Sequence, residues 1–269
     1  EAWITTLDVG QGLAVLVRTA RHALLYDAGP SYGPEADGGG RVVLPFLRAQ
    51  GVVRLDAMIL THADRDHVGG ALSVLQAAET ERVIASLDGA DPALLLGATH
   101  ARCLRGLGWT WDGVEFSLLH PERDAARAAA RRVRENDRSC VLRVRAGARA
   151  MLLTGDIERG VEAALVAAFG PAGGLRADAL LVPHHGSRSS SSAPFLAAVA
   201  PRVALAPVGY RNRFGHPHPE VVARYRARGT RRMRTDWDGA IEVRLAPGAL
   251  EVRSARAAGR RYWHAAASP

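Results

Sequence analysis

Thr61-His62-Ala63-Asp64-Arg65-Asp66-His67 follows an apolar, strand-like run at Ala57 to Leu60 and precedes Gly69-Gly70. It places four side chains of metal-ligand type, His62, Asp64, Asp66 and His67, within six consecutive positions. Side chains alternate along a strand, so His62 and Asp64 can share a side, and a turn then brings Asp66 and His67 round. Two imidazoles and two carboxylates crowded together are costly unless positive charge lies between them. A metal ion, and with this many ligands a pair, is the natural occupant. The alternative is a solvated polar loop in which Asp66 caps a helix starting near Val68.

Three further strand-like runs end in the same chemistry. Ala23-Leu24-Leu25-Tyr26 runs into Asp27-Ala28-Gly29, Met151-Leu152-Leu153 into Thr154-Gly155-Asp156, and Leu180-Leu181-Val182-Pro183 into His184-His185-Gly186-Ser187. Apolar strands that each release a carboxylate or imidazole at the carboxyl end describe a site on the rim of a sheet. Taken singly, each has an ordinary explanation: an aspartate capping a helix, or a histidine satisfied by backbone.

The order Asp-x-Gly, His-x-Asp-x-Asp-His, Thr-Gly-Asp, His-His-Gly-Ser resembles the metallo-β-lactamase superfamily. Within it, the chain is most similar to the C-terminal domain of the DNA-internalisation competence proteins of the ComEC type. Leu7-Asp8-Val9-Gly10-Gln11-Gly12, Asn136-Asp137-Arg138-Ser139-Cys140-Val141-Leu142 and Arg213-Phe214-Gly215-His216-Pro217-His218-Pro219 carry that closer likeness. It extends from about Ile4 to Val252. Three departures stand out. Leu13 replaces an acid found in many relatives, Asp64 stands where the superfamily's second histidine usually falls, and Asn136 and Asp137 occupy the region of its third-motif histidine.

The resemblance implies a four-layer αββα sandwich in the α/β (α+β) class. It assigns His62, Asp64 and Asp156 to one metal and Asp66, His67, Asp156 and His185 to a second, with Asp156 bridging. Two cations about 3.5–4 Å apart activate water at neutral pH and hold the oxygens of a phosphodiester. An aspartate in place of a histidine makes the first position oxygen-rich, which favours a hard ion such as Mn²⁺ over Zn²⁺. Asp66 and His184 are the candidate catalytic residues. His184 either faces the phosphate or, by strand alternation, points into the sheet. Asp27 is expected to orient a ligand rather than bind metal. Asp8, Gln11, Asn136, Asp137, Ser139 and Ser187 are candidates for supporting the ligands or simply forming turns. Arg213, His216 and His218 are candidates for phosphate contact, although His218-Pro219 also suits a helix start.

Composition frames these readings. The 269 residues carry a formal net charge of +8, and all 35 basic side chains are arginine. Arginine's planar fork pairs well with phosphate, and a basic surface attracts nucleic acid without reading sequence. One group comprises Arg127, Arg131, Arg132, Arg134 and Arg138. A second comprises Arg224, Arg226, Arg228, Arg231, Arg232, Arg234, Arg253, Arg256, Arg260 and Arg261, and leans towards phosphate contact. Tyr210, Phe214, Tyr225, Trp237, Tyr262 and Trp263 are the aromatic residues available for base stacking, and most are expected to be packing residues. Cys103 and Cys140 fit no metal spacing. Cys140 lies in a strand pattern, and a disulfide is neither required nor excluded.

No linker-like stretch or repeat divides the chain, so 1–269 is expected to form one domain. No apolar run approaches the roughly 20 residues needed to cross a bilayer. Glu1-Ala2-Trp3 leads directly into strand-like sequence, so no signal peptide is expected. The resemblance implies a piece of a larger membrane protein on the periplasmic or extracellular face. Its expected partners are DNA and the membrane channel portion of the same full-length protein, with no nucleotide cofactor. The expected activity is a metal-dependent nuclease of DNA uptake. An esterase of small phosphodiesters and a non-catalytic DNA-binding or gating module are the alternatives. Strand patterns near 4–8, 13–18, 23–27, 57–61, 82–86, 114–119, 139–145, 149–154, 178–182, 202–206, 240–245 and 250–253 alternate with helical patterns near 42–50, 68–78, 91–98, 122–132, 157–168, 193–200 and 218–228.

Overall fold

The computed structural model describes residues 1–87, 91–96, 99–122, 134–170 and 172–259. Two large sheets face one another. The first runs, edge to edge, through Thr99–Arg102, Arg82–Ala85, Ala57–Leu60, Ala23–Tyr26, Val15–Arg18, Ala2–Thr6, Ile241–Ala246 and Ala249–Ser254. The second runs through Gly108–Trp111, Val114–His120, Val141–Ala146, Arg149–Leu153, Ala179–Leu181, Val203–Ala206 and Arg231–Arg234.

Strand alternation sorts the apolar residues into layers. Ile4, Val15, Val17, Leu24, Tyr26 and Ile59 of the first sheet meet Phe116, Leu142, Val144, Met151 and Leu181 of the second in one buried core. The opposite face of the first sheet, with Leu16, Leu25, Met58 and Leu60, packs under Leu44, Leu47, Val74 and Leu75 of helices Leu44–Ala49 and Ala71–Ala77. The outer face of the second sheet, with Leu152, Leu180 and Ala204, packs under helices Arg159–Phe169, Ala193–Val199 and Pro219–Ala227 through Leu165, Phe195, Leu196, Val221 and Tyr225. These are the four layers of the expected αββα sandwich.

Each sheet has an antiparallel half built from hairpins and a parallel half built through crossovers. Ala23–Tyr26, Ala57–Leu60, Arg82–Ala85 and Thr99–Arg102 are mutually parallel neighbours in the first sheet. Arg149–Leu153, Ala179–Leu181, Val203–Ala206 and Arg231–Arg234 are so in the second. The carboxyl ends of Ala23–Tyr26, Ala57–Leu60, Arg149–Leu153 and Ala179–Leu181 meet at one rim, where ligands gather in parallel sheets.

Several local expectations are revised. The edge strands Gly108–Trp111 and Arg231–Arg234 are half exposed and only four residues long, so their pattern is weak in sequence. The helix expected at 68–78 is two pieces, Arg65–Val68 and Ala71–Ala77. Asp64, not Asp66, occupies the position before the first of them. The helical pattern at 91–98 shortens to a single tight turn at Pro92–Leu95. Cys103 and Cys140 pair as a disulfide with Cα atoms 6.0 Å apart. The helical expectation at 122–132, with Arg127, Arg131 and Arg132, lies outside the described residues, as do Arg260, Arg261, Tyr262 and Trp263. Among the described residues, no helix is long and apolar enough to cross a membrane.

Candidate metal centre

Four strand ends deliver the ligand-type side chains to one point. His67 Nε2 lies 3.1 Å from Asp156 Oδ1, 3.3 Å from His185 Nε2 and 4.0 Å from Asp66 Oδ2. His185 Nε2 lies 3.3 Å from Asp66 Oδ2 and 3.5 Å from Asp156 Oδ1. His62 joins His67 and Asp156 in a second, overlapping group. With bonds of about 2.0–2.2 Å to a four-coordinate ion, ligand atoms stand about 3.3–3.6 Å apart, and the observed spacing matches.

The hydrogen bonds behind these rings decide which nitrogen faces the site. His67 Nδ1 donates to Asp27 Oδ2 at 2.7 Å. His185 Nδ1 donates to the Pro207 carbonyl at 2.7 Å, and a carbonyl can only accept. The Thr61 hydroxyl donates to Asp27 Oδ2 and therefore accepts from His62 Nδ1, at 2.8 and 2.9 Å. Each neutral ring so fixed presents a lone pair at Nε2. Three lone pairs and the oxygens of Asp66 and Asp156 thus converge with no donor among them. His62 Nε2 and Asp156 Oδ1 are buried and make no hydrogen bond. Buried acceptors without donors are costly, and a cation answers all of them together. These residues fit a metal ion.

Protons on the imidazoles are the alternative to a cation, and the electrostatics show how strongly the cluster draws positive charge. Burial acts to raise the Asp66 carboxyl, yet a hydrogen bond from protonated His185 and the neighbouring imidazolium charges hold it at about 2. Burial likewise opposes ionisation of Asp156, and the charges of His67 and His185 overcome it, holding that carboxyl well below its usual range. In return, the Asp156 and Asp27 charges outweigh burial and push His67 well above the ordinary imidazole value. A cluster that holds protons this tightly is a cluster of competing negative charge.

Backbone geometry explains the motifs around the ligands. Gly12 sits at φ +151°, and a Cβ there would stand 2.5 Å from the Asp66 carbonyl, which also accepts from Leu13 N at 3.0 Å. The glycine-rich turn near the amino terminus therefore braces the ligand loop. Gly155 is at φ +53°, a Cβ there would stand 3.0 Å from Ser139 Cβ, and the turn it makes directs Asp156 inward instead of letting it cap the next helix. Ser139 Oγ accepts from Asp156 N at 3.0 Å and lies 3.3 Å from His62 Nδ1, so one buried hydroxyl positions ligands from both sheets. Asp27 accepts from Thr61 N, Thr61 Oγ1 and His67 Nδ1.

His184 and His185 do not alternate as strand neighbours. Both take positive φ, +48° and +53°, in the turn Pro183–Gly186. His185 is buried among the ligands, while His184 swings to the mouth of the site instead of into the sheet. His184 Nε2 stands 3.6 Å from Asp156 Oδ2, its Nδ1 3.4 Å from Glu158 Oε1, and Asn136 Nδ2 3.4 Å from the ring. The His216 ring centroid is 6.0 Å from that of His184.

Other candidates fall elsewhere. Asp64 is half exposed and touches the cluster only through His62 Nε2, at 3.4 Å. Asp8 faces Arg256. Asp137 meets His120 through its carbonyl. Ser187 Oγ bonds Ser189 within its own turn. His218 caps helix Pro219–Ala227 by accepting from Glu220 N. Gln11 accepts from Gly209 N at 3.2 Å and ties two loops together. Much of the C-terminal arginine group is spent on structure: Arg224 donates to the Ser190 and Ser191 carbonyls, and Arg234 to Asp236. Sequence reasoning missed Glu158, which holds Arg134, Ser189 and His184, and the Pro207 carbonyl. Glu158 lies two residues beyond Asp156, a spacing that marks it; a backbone carbonyl carries no such signal.

Two facing sheets with histidines and aspartates gathered at their strand ends define a metallo-β-lactamase-type domain. The profile of the metallo-beta-lactamase superfamily matches residues 7–210, and the chain belongs to that superfamily. Among whole proteins it is similar to Competence protein ComA of Neisseria gonorrhoeae, 39% identical over 263 residues, 98% of this chain and 35% of that protein. It is also similar to Recombination protein 2 of Haemophilus influenzae, 34% identical over 94% of this chain and 30% of that protein. ComE operon protein 3 of Bacillus subtilis is 31% identical over 91% of this chain and 33% of that protein. The chain thus spans about a third of the length of these relatives. Among solved structures, it superposes on the diiron β-hydroxylase CmlA of Streptomyces venezuelae with a TM-score of 0.57 at 16% identity, over 90% of this chain and 54% of that one. It superposes on the metallo-beta-lactamase fold protein YhfI of Bacillus subtilis with a TM-score of 0.53 at 14% identity, over 86% and 95%. These two likenesses concern the fold alone.

Proposed function

We propose that this chain is a metal-dependent nuclease that hydrolyses DNA phosphodiester bonds during DNA uptake, degrading one strand while the other is imported. The observation that carries the reading is the convergence of imidazole lone pairs and carboxylate oxygens, with no donor among them, at the meeting of the two parallel half-sheets. Asp66, His67, Asp156 and His185 would hold one divalent ion. His62, Asp64 and Asp156 would hold the other, with Asp156 common to both. Bound there, divalent ions supply Lewis-acid polarisation of a phosphoryl oxygen and an acidified water. Mn²⁺ is favoured because Asp64 and Asp156 make the His62 position rich in oxygen.

The chain's own residues do the rest. Asp27, Thr61, Ser139 and the Pro207 carbonyl fix the tautomers and aim of three histidines. His184, oriented by Glu158 and Asn136 at the open side of the cluster, is placed to donate a hydrogen bond to a phosphoryl oxygen. A net charge of +8 draws a polyanion to the site. The relative named for competence supports DNA uptake as the setting, and in this reading the chain is a single domain of a longer, membrane-anchored protein. The Cys103–Cys140 disulfide favours an oxidising compartment, and so the outer face of the membrane.

The test incubates purified chain with plasmid and single-stranded DNA in Mn²⁺, Mg²⁺ or Zn²⁺, alongside Asp66→Ala. Cleavage strongest with Mn²⁺ and lost in the variant is expected. Binding of DNA with a steep salt dependence but no cutting with any ion would make the domain a gating module instead. Cleavage that survives Asp66→Ala would point to a contaminant.

A further inference from the structure

Two aromatic residues of the loop that leads to His216 do not pack as the sequence suggests. Tyr210 is 72% exposed and Phe214 53% exposed, while the other exposed aromatics among the described residues, Tyr32 and Trp237, reach 45% and 41%. Leaving such rings in water forgoes the gain of burying them, so an exposed pair points to a surface kept for a partner. Each ring carries a guanidinium from its sequence neighbour. Arg211 lies 5.2 Å from the Tyr210 ring centroid and Arg213 4.9 Å from that of Phe214. The alternation Tyr210-Arg211-Asn212-Arg213-Phe214 thus pairs a flat apolar face with a phosphate-binding cation twice over.

The loop is held rigidly. Asn212 Nδ2 donates to the Gly209 and His216 carbonyls, and its Oδ1 accepts from His216 N. Gln11 anchors the base of the loop through Gly209 N. From Phe214, contacts lead directly to the ligands. Its ring stacks on His216 with centroids 5.8 Å apart and planes 20° apart, His216 meets His184, and His184 reaches Asp156.

Building on the nuclease reading, we propose that the loop from Gly209 to His218 is a stacking platform for the bases of single-stranded DNA. Tyr210 and Phe214 receive the bases, and Arg211 and Arg213 meet the adjoining phosphates. Every base has a π-face, so such a platform tolerates any sequence. A duplex buries those faces in its own stack, so the platform selects single strands and frayed ends. Two stacked bases contribute enough for a preference of ten- to a hundredfold or more.

Fluorescence anisotropy in EDTA tests this without cleavage. The probes are an oligothymidylate of about twelve nucleotides and an abasic strand with the same backbone. The wild type is expected to bind the oligothymidylate at least about tenfold more tightly than the abasic strand. Tyr210→Ala/Phe214→Ala is expected to bring that ratio close to one, while Tyr210→Phe/Phe214→Tyr retains it. The slope of affinity against salt should persist in all three, because the phosphate contacts remain. A wild type that does not distinguish the two strands, or an alanine variant that keeps the preference, overturns the proposal. The nuclease reading fails separately: base preference without cutting in any metal ion leaves the platform standing, and cutting without base preference removes only the platform.

Discussion

Strand Ala23–Tyr26 runs between two histidine–carboxylate pairs, one at each end of the sandwich, and they behave oppositely. At its carboxyl end, Asp27 grips His67 at 2.7 Å and the far nitrogen of that ring looks into a crowd of acceptors. At its amino end, His22 meets Asp112 at 3.0 Å and lies flat on Trp111, with planes 4° apart. Asp112 also accepts from the Thr19 hydroxyl at 2.6 Å and from Arg21 N and Nε at 2.9 and 3.0 Å. Donors saturate that carboxylate, so the pair is a clasp between the sheets. At the Asp27 end, acceptors outnumber the fixed donors among the described residues. A His–Asp pair is therefore not a functional sign in itself; the balance of donors against acceptors around it is.

The comparison is broken most forcefully at the surplus. Asp156→Asn removes the carboxylate common to both ligand sets. It should lower metal-dependent cleavage on the order of a thousandfold, since an ion's charge stabilisation amounts to several kcal/mol. Metal per chain after gel filtration should fall with it. A variant that keeps both its ion and its rate would show that Asp156 holds no metal. Asp27→Asn leaves the ligands in place but loosens His67. It should cost roughly 10–100-fold in metal affinity, read by titrating the stripped protein with Mn²⁺, with secondary structure unchanged.

A covalent tie offers a control independent of either pair. The Cys103–Cys140 bond closes a loop with a sequence separation of 37, and Cys103→Ser/Cys140→Ser should lose about 4 kcal/mol of stability in the chain-entropy account. Urea unfolding measures it, and an unchanged midpoint would mean that the thiols are not bridged.

The smallest effect is expected at the clasp. Hydrogen bonds from Thr19, His22 and Arg21 hold the Asp112 carboxyl well below the usual carboxylate range. A carboxyl depressed on folding stabilises the protein above its unfolded pKa of about 3.9, and that contribution is lost as pH falls through the lower folded value. Asp112→Asn should lower the melting temperature by a few degrees at pH 7. The difference between variant and wild type should narrow below about pH 4, with cleavage unchanged throughout. Equal melting curves at neutral pH, or a gap that widens in acid, would contradict the saturated-clasp account.

Much of this was legible beforehand, for a physical reason. Apolar runs ending in ligand-type residues survive in any register, so the strands before Asp27, His62, Asp156 and His184-His185 could be read without knowing how they pair. The resemblance to the competence branch rested on those same strand ends. What stayed hidden depended on torsions and neighbours. Period-two alternation put His184 and His185 on opposite faces, but two successive left-handed residues turned one into the ligand set and the other to its mouth. Asp64 and Asp66 are both ligand candidates in the sequence, and the short helix Arg65–Val68 separates the half-exposed carboxylate from the inward one.

By itself, the sequence determined which atoms could bind a cation and roughly where the strands carrying them end. Residue type and apolar periodicity are local properties. Tertiary structure alone decided which nitrogen of each histidine faces inward, which carboxylates lack donors, and which aromatic rings stay in water. Those outcomes depend on groups such as Ser139, Pro207 and Gln11, far away in the chain and brought close only by the packing of the two sheets.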